Sequence, residues 1–185
     1  MTLQLNHFYN MDCMEAMKQI PDNFFDLAIV DPPYGINVTK MQMGGRKTVK
    51  PQKSKHWDTC IPTNDYFAEL QRVSQNQIIW GGNYFDLPPA RGFVIWDKGA
   101  SMYRRSFSEC EFAWTSFDTP ARIFKCSPNN PARIHPTQKP VALYTWLLEN
   151  YARHGNKILD THVGSASSLI ACHRLKYEFM GFELD

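Results

Sequence analysis

No two cysteines in this chain are spaced as CxxC. Its five, Cys13, Cys60, Cys110, Cys126 and Cys172, are scattered over 185 residues. That argues against a disulfide framework and reads as free thiols in a reducing, cytoplasmic setting. His56 and Cys60 are four apart with no second pair beside them, so no metal site is expected. No apolar run approaches ~18 residues, so no membrane partner is expected. No GxGxxG pattern occurs, which weighs against a dinucleotide, and no internal repeat is visible. The formal net charge is only +2, which excludes a uniformly basic surface. Acid is missing from one place in particular: Thr39 to Lys55 holds six Lys or Arg residues and no Asp or Glu. With Gly44, Gly45 and Pro51 and no hydrophobic period, that segment reads as a mobile basic loop.

What is present suits one α/β domain spanning residues 1–185. Asp12 and Glu15 form a capping-box pattern for a helix from Cys13 to Ile20. Phe25 to Val30 reads as a buried strand. Tyr66 to Ser74 carries Tyr66, Phe67, Leu70 and Val73 on one helical face. Strands are expected at Gln77–Trp80, Gly92–Trp96 and Cys110–Ser116. Pro140 to Tyr151 reads as a helix, Lys157 to Leu159 as a strand, Ser168 to Lys176 as a helix and Glu178 to Phe182 as the last strand. Strands alternating with helices imply a mostly parallel sheet, which binds ligands at its carboxyl edge.

Two segments lie where that rule points. The first is Asp160-Thr-His-Val-Gly164-Ser165-Ala166, between a strand and a helix. Gly164 admits close backbone approach, and the helix start offers free N–H groups. Glu183 follows Gly164 by 19 residues, a spacing that suits an acid accepting ribose hydroxyls. A single glycine among Thr161, His162 and Val163 fits an adenosine cofactor without phosphates better than a dinucleotide. The alternative is a plain strand–helix turn. The second is Asp31-Pro32-Pro33-Tyr34. Both prolines lack N–H donors and fix φ, and each holds the residue before it extended. The result is a stiff cluster of acceptors, the Asp31 carboxylate and the Asp31 and Pro32 carbonyls, that suits a group with two N–H donors. A rigid turn capped by Asp31 is the other reading.

These segments together resemble the beta-class S-adenosylmethionine-dependent DNA amino-methyltransferases, over nearly the whole chain and in their circularly permuted order. Asp31-Pro-Pro-Tyr34 is similar to the catalytic motif. Trp80-Gly-Gly-Asn-Tyr-Phe85, Val94-Ile-Trp-Asp-Lys98 and Glu111-Phe-Ala-Trp-Thr-Ser116 are similar to the strands that follow it. His135-Pro-Thr137-Gln138-Lys139-Pro140 resembles a segment beside the cofactor's methionine part. Asp160 to Ser167 resembles the cofactor loop, and Gly181-Phe-Glu-Leu-Asp185 the ribose strand. The resemblance implies a Rossmann-like fold with a mostly parallel sheet flanked by helices. The segment around Phe8 and Tyr9 would supply the strand next to the last one.

For the site, the resemblance implies Asp31, Pro32 and Tyr34 as catalytic, with Tyr34 stacking on a flipped base. Asp12, Pro33, His135, Thr137, Gln138, Lys139, Asp160, His162, Gly164, Ser165 and Glu183 would hold the cofactor. Asp12 serves equally as a helix cap. Arg46, Lys47, Lys50, Lys53 and Lys55 would meet DNA phosphates, with Arg104-Arg105 and Arg122 to Arg133 as further candidates. Tyr84-Phe85 and Tyr103 read first as core or surface aromatics and second as another wall for the base.

Three positions depart from the family pattern: Thr161, His162 and Ala166 replace Pro, Phe and Gly. Ala166 restricts the backbone, and His162 reads as a replaced apolar contact rather than a base. Asp31 in the first motif position favours adenine over cytosine, whose enzymes more often carry Ser. The alternatives are an N4-cytosine enzyme and a DNA-binding relative that has lost catalysis. No separate recognition domain is visible, so specificity is expected from loops or from a second copy in a homodimer. The end at Asp185 suggests that a short tail of relatives is missing. Small size suggests a restriction–modification or phage setting.

Overall fold

The computed structural model describes residues 2–37, 58–105, 107–128 and 138–184. The central strand β2 (Phe25–Val30) is apolar apart from Asp26 because both its faces are covered. Side chains alternate across a strand. Ala28 and Val30 enter one core with Met17, Leu70 and Val73, while Leu27 and Ile29 enter a second with Leu143, Leu147 and Cys172. The first core is roofed by α1 (Cys13–Met17) and α2 (Asn64–Val73). The second lies under α3 (Val141–Tyr151) and α4 (Ser167–Leu175). Helices on both faces of a sheet are the usual solution for strands buried on both sides.

The other strands are β1 (His7–Asn10), β3 (Ser74–Trp80), β4 (Phe93–Asp97), β5 (Cys110–Thr115), β6 (Arg122–Lys125), β7 (Lys157–Asp160) and β8 (Glu178–Glu183). With β2 they form one sheet in the order β1-β8-β7-β2-β3-β5-β4-β6. Among the described strands only β5 runs antiparallel, between β3 and β4. The first strand lies beside the last, with Phe8 opposite Gly181 and Tyr9 opposite Phe182. This is the pairing that a permuted order requires. In the middle of the sheet, β7 from the end of the chain pairs with β2 from its beginning, Leu27 opposite Ile158 and Ala28 opposite Leu159.

Two expectations need correction. The first helix ends at Met17, not Ile20: the amides of Gln19 and Ile20 bond three residues back, to Ala16 and Met17 carbonyls at 3.0 Å each, which tightens the last turn. Asp12 does cap it, taking the Met14 amide at 2.7 Å, but Glu15 turns to Lys18 at 2.6 Å instead of closing a box. The second correction concerns Arg122 to Lys125. This segment is a strand parallel to β4, held by Phe124 stacking on Trp146 and by Trp96 Nε1 donating to the Cys126 carbonyl at 2.8 Å. Arg122 bonds Asn150 and lies opposite Val94, at the amino edge of the sheet, far from the expected chemistry.

Arg72 joins the two helices of the first core. Its guanidinium donates to the Met17 and Ile20 carbonyls at 2.7 and 2.9 Å and to Asp22 and Glu69. These carbonyls lie at the end of a helix, where the backbone supplies fewer donors than the carbonyls can accept. Replacing Arg72 with Met should cost about 1–3 kcal/mol, read as a lower urea midpoint. Lysine should restore only part of this, since it lacks the planar fork of donors.

Candidate active site

The carboxyl edge of the sheet carries a row of acids. Asp12 follows β1, Glu183 ends β8, Asp160 ends β7 and Asp31 follows β2. Glu111 joins them from β5, which being antiparallel brings its beginning to this edge, opposite Trp96. The parallel strands thus gather residues from both ends of the chain.

Asp31 does not stand alone. One carboxylate oxygen accepts the Tyr34 hydroxyl and the other the Lys139 ammonium. Lys139 also lies 3.3 Å from the Tyr34 hydroxyl and 3.0 Å from Glu111 Oε2. Glu111 in turn pairs with Lys98 at 2.8 Å. Burial opposes the charge on Lys139, but Asp31 and Glu111 outweigh it and hold the ammonium above its ordinary range. Burial likewise opposes the charge of Glu111, and the two lysines overcome it, pulling its carboxyl down to about 2. Lys139 and Glu111 are therefore both charged at neutral pH. Lys139 was expected beside the cofactor. Its ammonium sits in the Asp31 cluster.

The turn after Asp31 is fixed from below. Asp58, buried at 2% exposure, accepts the amides of Tyr34 and Gly35 at 2.8 and 2.9 Å. The Tyr34 ring packs on Gly81, which has a φ of +71°. A Cβ there would fall 2.1 Å from Tyr34 Cε1, so only glycine fits. The ring also stacks on Tyr84, with centroids 5.0 Å apart and planes at 14°. Tyr34 is thus already engaged by ring and hydroxyl, where the sequence suggested a free stacking face. The outer partner Tyr84 is 41% exposed. Tyr103 is occupied elsewhere, bonding Asp97.

The loop after β7 meets the end of β8 directly. The Gly164 amide donates to Glu183 Oε2 at 2.7 Å. Gly164 has a φ of +50° and nothing within 4 Å of a notional Cβ, so the loop faces open space there. Ala166 takes the left-handed conformation, φ +59°, that its family's glycine would adopt freely. An alanine there carries about 1 kcal/mol of strain. Asp160 is buried, accepting the His162 amide at 3.0 Å and the Ser168 hydroxyl. Burial raises its carboxyl to about 7 against those two bonds. Thr161 is bound by the Tyr66 hydroxyl at 2.7 Å and by His162 Nδ1 at 3.0 Å. Burial lowers His162 to about 4 despite Glu183 and Asp12, so the ring is neutral. It packs edge-on against Tyr66, which agrees with an apolar-type contact. Gln138 reaches Ser167 at 3.4 Å, and Ser165 lies 3.2 Å from the same hydroxyl. Pro32 is buried and Pro33 half-buried beside Asp31.

His135, Thr137 and the basic segment with Arg46, Lys47, Lys50, Lys53 and Lys55 lie outside the described residues. Sequence reasoning gave no role to Asp58, Glu111, Lys98 or Tyr66. Lys98 and Glu111 stood inside segments that resembled family strands, which was the only signal. A groove of about 520 Å³ bounded by Ser74, Gln77, Pro89 and Ser116 lies at the opposite, amino edge of β3 and adds nothing to this cluster.

Residues 94–185 match the family model described as DNA methylase, of the N6/N4 methyltransferases. The chain belongs to the N6/N4 DNA methylase family. Among curated relatives, the protein named "Putative methylase YubD" from Escherichia coli K12 is 24% identical over 97% of this chain and 85% of its own length. The solved M1.HpyAVI–SAM complex superposes with a TM-score of 0.64 at 20% identity, covering 97% of this methylase and 94% of that chain. The cytosine-N4-specific PvuII DNA methyltransferase gives 0.61 at 13% identity, over all of this chain and 83% of the other. At these identities the two structures support the fold.

The buried pair Asp160 and His162 gives opposite pH effects. Asp160, raised to about 7, keeps a proton that the unfolded chain releases near 4, so its contribution falls as pH rises from about 4 to 7. His162, lowered to about 4, refuses a proton that the unfolded chain takes near 6.5, so its contribution rises with pH over about 4 to 6.5. The two largely cancel in the native protein. Asp160→Asn should unmask the histidine, so that urea stability climbs with pH across that window more steeply than in the native chain. By pH 8 the variant should have gained on the order of 3 kcal/mol relative to its standing at pH 4. Parallel pH profiles for the two proteins would refute the assignment.

Proposed function

We propose that this methylase transfers a methyl group from S-adenosylmethionine to the exocyclic N6 amine of adenine in DNA. The observation that carries the reading is the stiff acceptor pair at Asp31-Pro32, set on β2 directly beside the Asp160–Gly164 loop on β7. The cofactor site fits by its chemistry. S-adenosylmethionine carries a cationic sulfonium and an ammonium but no phosphate. Asp12, Asp160 and Glu183 supply carboxyl groups at this edge of the sheet, and Gly164 faces open space. Bound there, the cofactor supplies an electrophilic methyl group.

The protein's share is to make a poor nucleophile attack. An exocyclic amine delocalises its lone pair into the ring. The Asp31 carboxylate and the Pro32 carbonyl accept its two hydrogens and draw the nitrogen toward tetrahedral geometry. The freed lone pair forms the nitrogen–carbon bond while the sulfur keeps the electrons of the breaking carbon–sulfur bond. A proton then leaves the nitrogen to solvent. The Pro32 carbonyl accepts no hydrogen bond from any described residue, so it is available. Asp31 remains 27% exposed at its side chain, and a carboxylate has lone pairs beyond the two already used. The base leaves its stack to reach this depth, at a cost of a few kcal/mol. Stacking returns about 1–3 kcal/mol, and the exposed Tyr84 beside Tyr34 offers the aromatic surface. The basic segment 39–55 follows the catalytic turn in the chain and supplies phosphate contacts. Asp31 in the first motif position supports adenine over N4-cytosine.

Labelled S-adenosylmethionine and unmethylated DNA, digested and read by mass spectrometry, test this. N6-methyladenine is the expected product, and N4-methylcytosine would overturn the choice of base. Absence of label together with absence of cofactor binding by calorimetry would favour a non-catalytic DNA-binding protein. Asp31→Ala should lower kcat by roughly 10²–10⁴-fold, as the loss of one or two bonds to an ionised acceptor predicts. Its cofactor affinity should stay within about threefold.

A further inference from the structure

Most charged groups in the molecule sit where solvent reaches them. Lys139 is 4% exposed and has been placed under the catalytic turn, just before α3. Its ammonium lies among three oxygens from two segments: Asp31 and the Tyr34 hydroxyl at 3.3 Å from the catalytic turn, and Glu111 Oε2 at 3.0 Å from β5. The Glu111 contact is an ion pair outside hydrogen-bond alignment, which leaves the directed bonds on the Asp31 side. Indole and phenol rings complete the enclosure, with Trp80 centred 5.3 Å and Tyr34 5.8 Å from the ammonium.

Stability does not account for this lysine. A buried ion pair is commonly no better for stability than packed apolar side chains of similar volume. What an ammonium provides that a methionine would not is a fixed direction. Asp31 can rotate about two side-chain torsions. With the Tyr34 hydroxyl on one oxygen and Lys139 on the other, both torsions are set, and the outward lone pairs face the site. The ammonium would also weaken Asp31's negative field on an amine gaining positive charge. Glu111 offsets that, and Lys98, 12% exposed at its side chain, balances Glu111 in turn. The charges alternate along the chain Asp31, Lys139, Glu111, Lys98 and sum to zero.

We propose that Lys139 is the positioning residue of the methyl-transfer site, locking the Asp31 carboxylate in the orientation that grips the amine, with Glu111 and Lys98 as its counter-charges. This rests on the reading of Asp31 as the amine acceptor and adds a residue that touches neither cofactor nor base. A carboxylate displaced by about 1 Å can cost ~100-fold in rate. Lys139→Met should therefore lower kcat by roughly 100-fold while the calorimetric Kd for S-adenosylmethionine stays within about threefold.

The single variant leaves Glu111 and Asp31 with less compensation and can unfold. The double variant Lys139→Met with Glu111→Gln removes one charge of each sign and keeps the cluster neutral. If Lys139 positions Asp31, the double variant should melt near the wild type and still turn over about 100-fold more slowly. Recovery of wild-type kcat in the double variant would overturn the proposal, because only a structural role would be repaired by charge balance. An independent readout is the ammonium itself. In protein labelled with ¹⁵N-lysine, one Nζ signal protected from exchange should vanish in Lys139→Met and move in Asp31→Asn. No such signal would overturn the proposal whether or not the protein methylates DNA. A protected signal in a wild-type protein that methylates no nucleoside would sink the methyltransferase reading and reduce the pair to structure, which also overturns the positioning role.

Discussion

The ion pair between Asp31 and Lys139 joins positions 108 residues apart at the centre of the carboxyl edge. Much of the site's shape follows from it. Lys139 can reach Asp31 only because α3 starts at this edge, and Tyr34 can bond the same carboxylate only because Gly81 leaves room for its ring. Glu111 reaches the ammonium only because β5 is reversed. In a wholly parallel sheet the beginning of that strand would sit at the far edge, and Lys139 would lose its second counter-charge. The antiparallel strand β5 thus has an electrostatic consequence in the Asp31 cluster.

The neighbouring strand solves a different problem. Asp160 is as deeply placed as Lys139 but has no cationic partner among the described residues. Burial therefore decides its protonation, and the carboxyl rises to about 7, where Glu111 falls to about 2 between two lysines. The contrast separates two uses of acid at one edge. Glu111 is a permanent counter-charge. Asp160 can take or lose its proton near neutral pH, so a cationic ligand nearby would favour its ionised form. His162 supports this arrangement by staying neutral and by presenting its amide to Asp160.

Much of this was legible in the sequence. Short apolar runs bounded by turn residues gave the strands of the centre of the sheet, because burial on both faces demands such composition. The 19-residue interval from Gly164 to Glu183 singled out a loop and an acid that the fold brings to one edge, because one helix and one strand of ordinary length fill that interval. The strand pairing of Tyr9 beside Phe182 followed from the permuted motif order. What was not legible was hidden for physical reasons. Arg122 to Lys125 has the charge of a surface loop, and only its packing on Trp146 and its ladder with β4 make it a strand. Lys139 sits among residues that approach the cofactor loop, and nothing in local sequence says which way a long flexible side chain turns. Asp58 lies 24 residues after Tyr34, across the segment 38–57, and its bonds to the turn are a tertiary fact.

The pairing of β2 with β7 finally bears on how methyl donor and acceptor are aligned. The Asp31–Tyr34 turn leaves β2 and the Asp160–Ala166 loop leaves β7, and the two strands are in register through Leu27–Ile158 and Ala28–Leu159. The side chains there are packed from both faces, by Val30 and Leu159 in one core and Leu27, Ile29 and Ile158 in the other. Sliding one strand by a residue would turn its apolar side chains to the wrong core. The distance between Asp31 and Asp160 is therefore set by the register of a buried ladder rather than by the loops that carry the chemistry. That is why the loop can tolerate Ala166 in a glycine conformation and His162 in an apolar position. Local strain there changes stability by about 1 kcal/mol, but it does not move the strand ends that set the geometry of transfer.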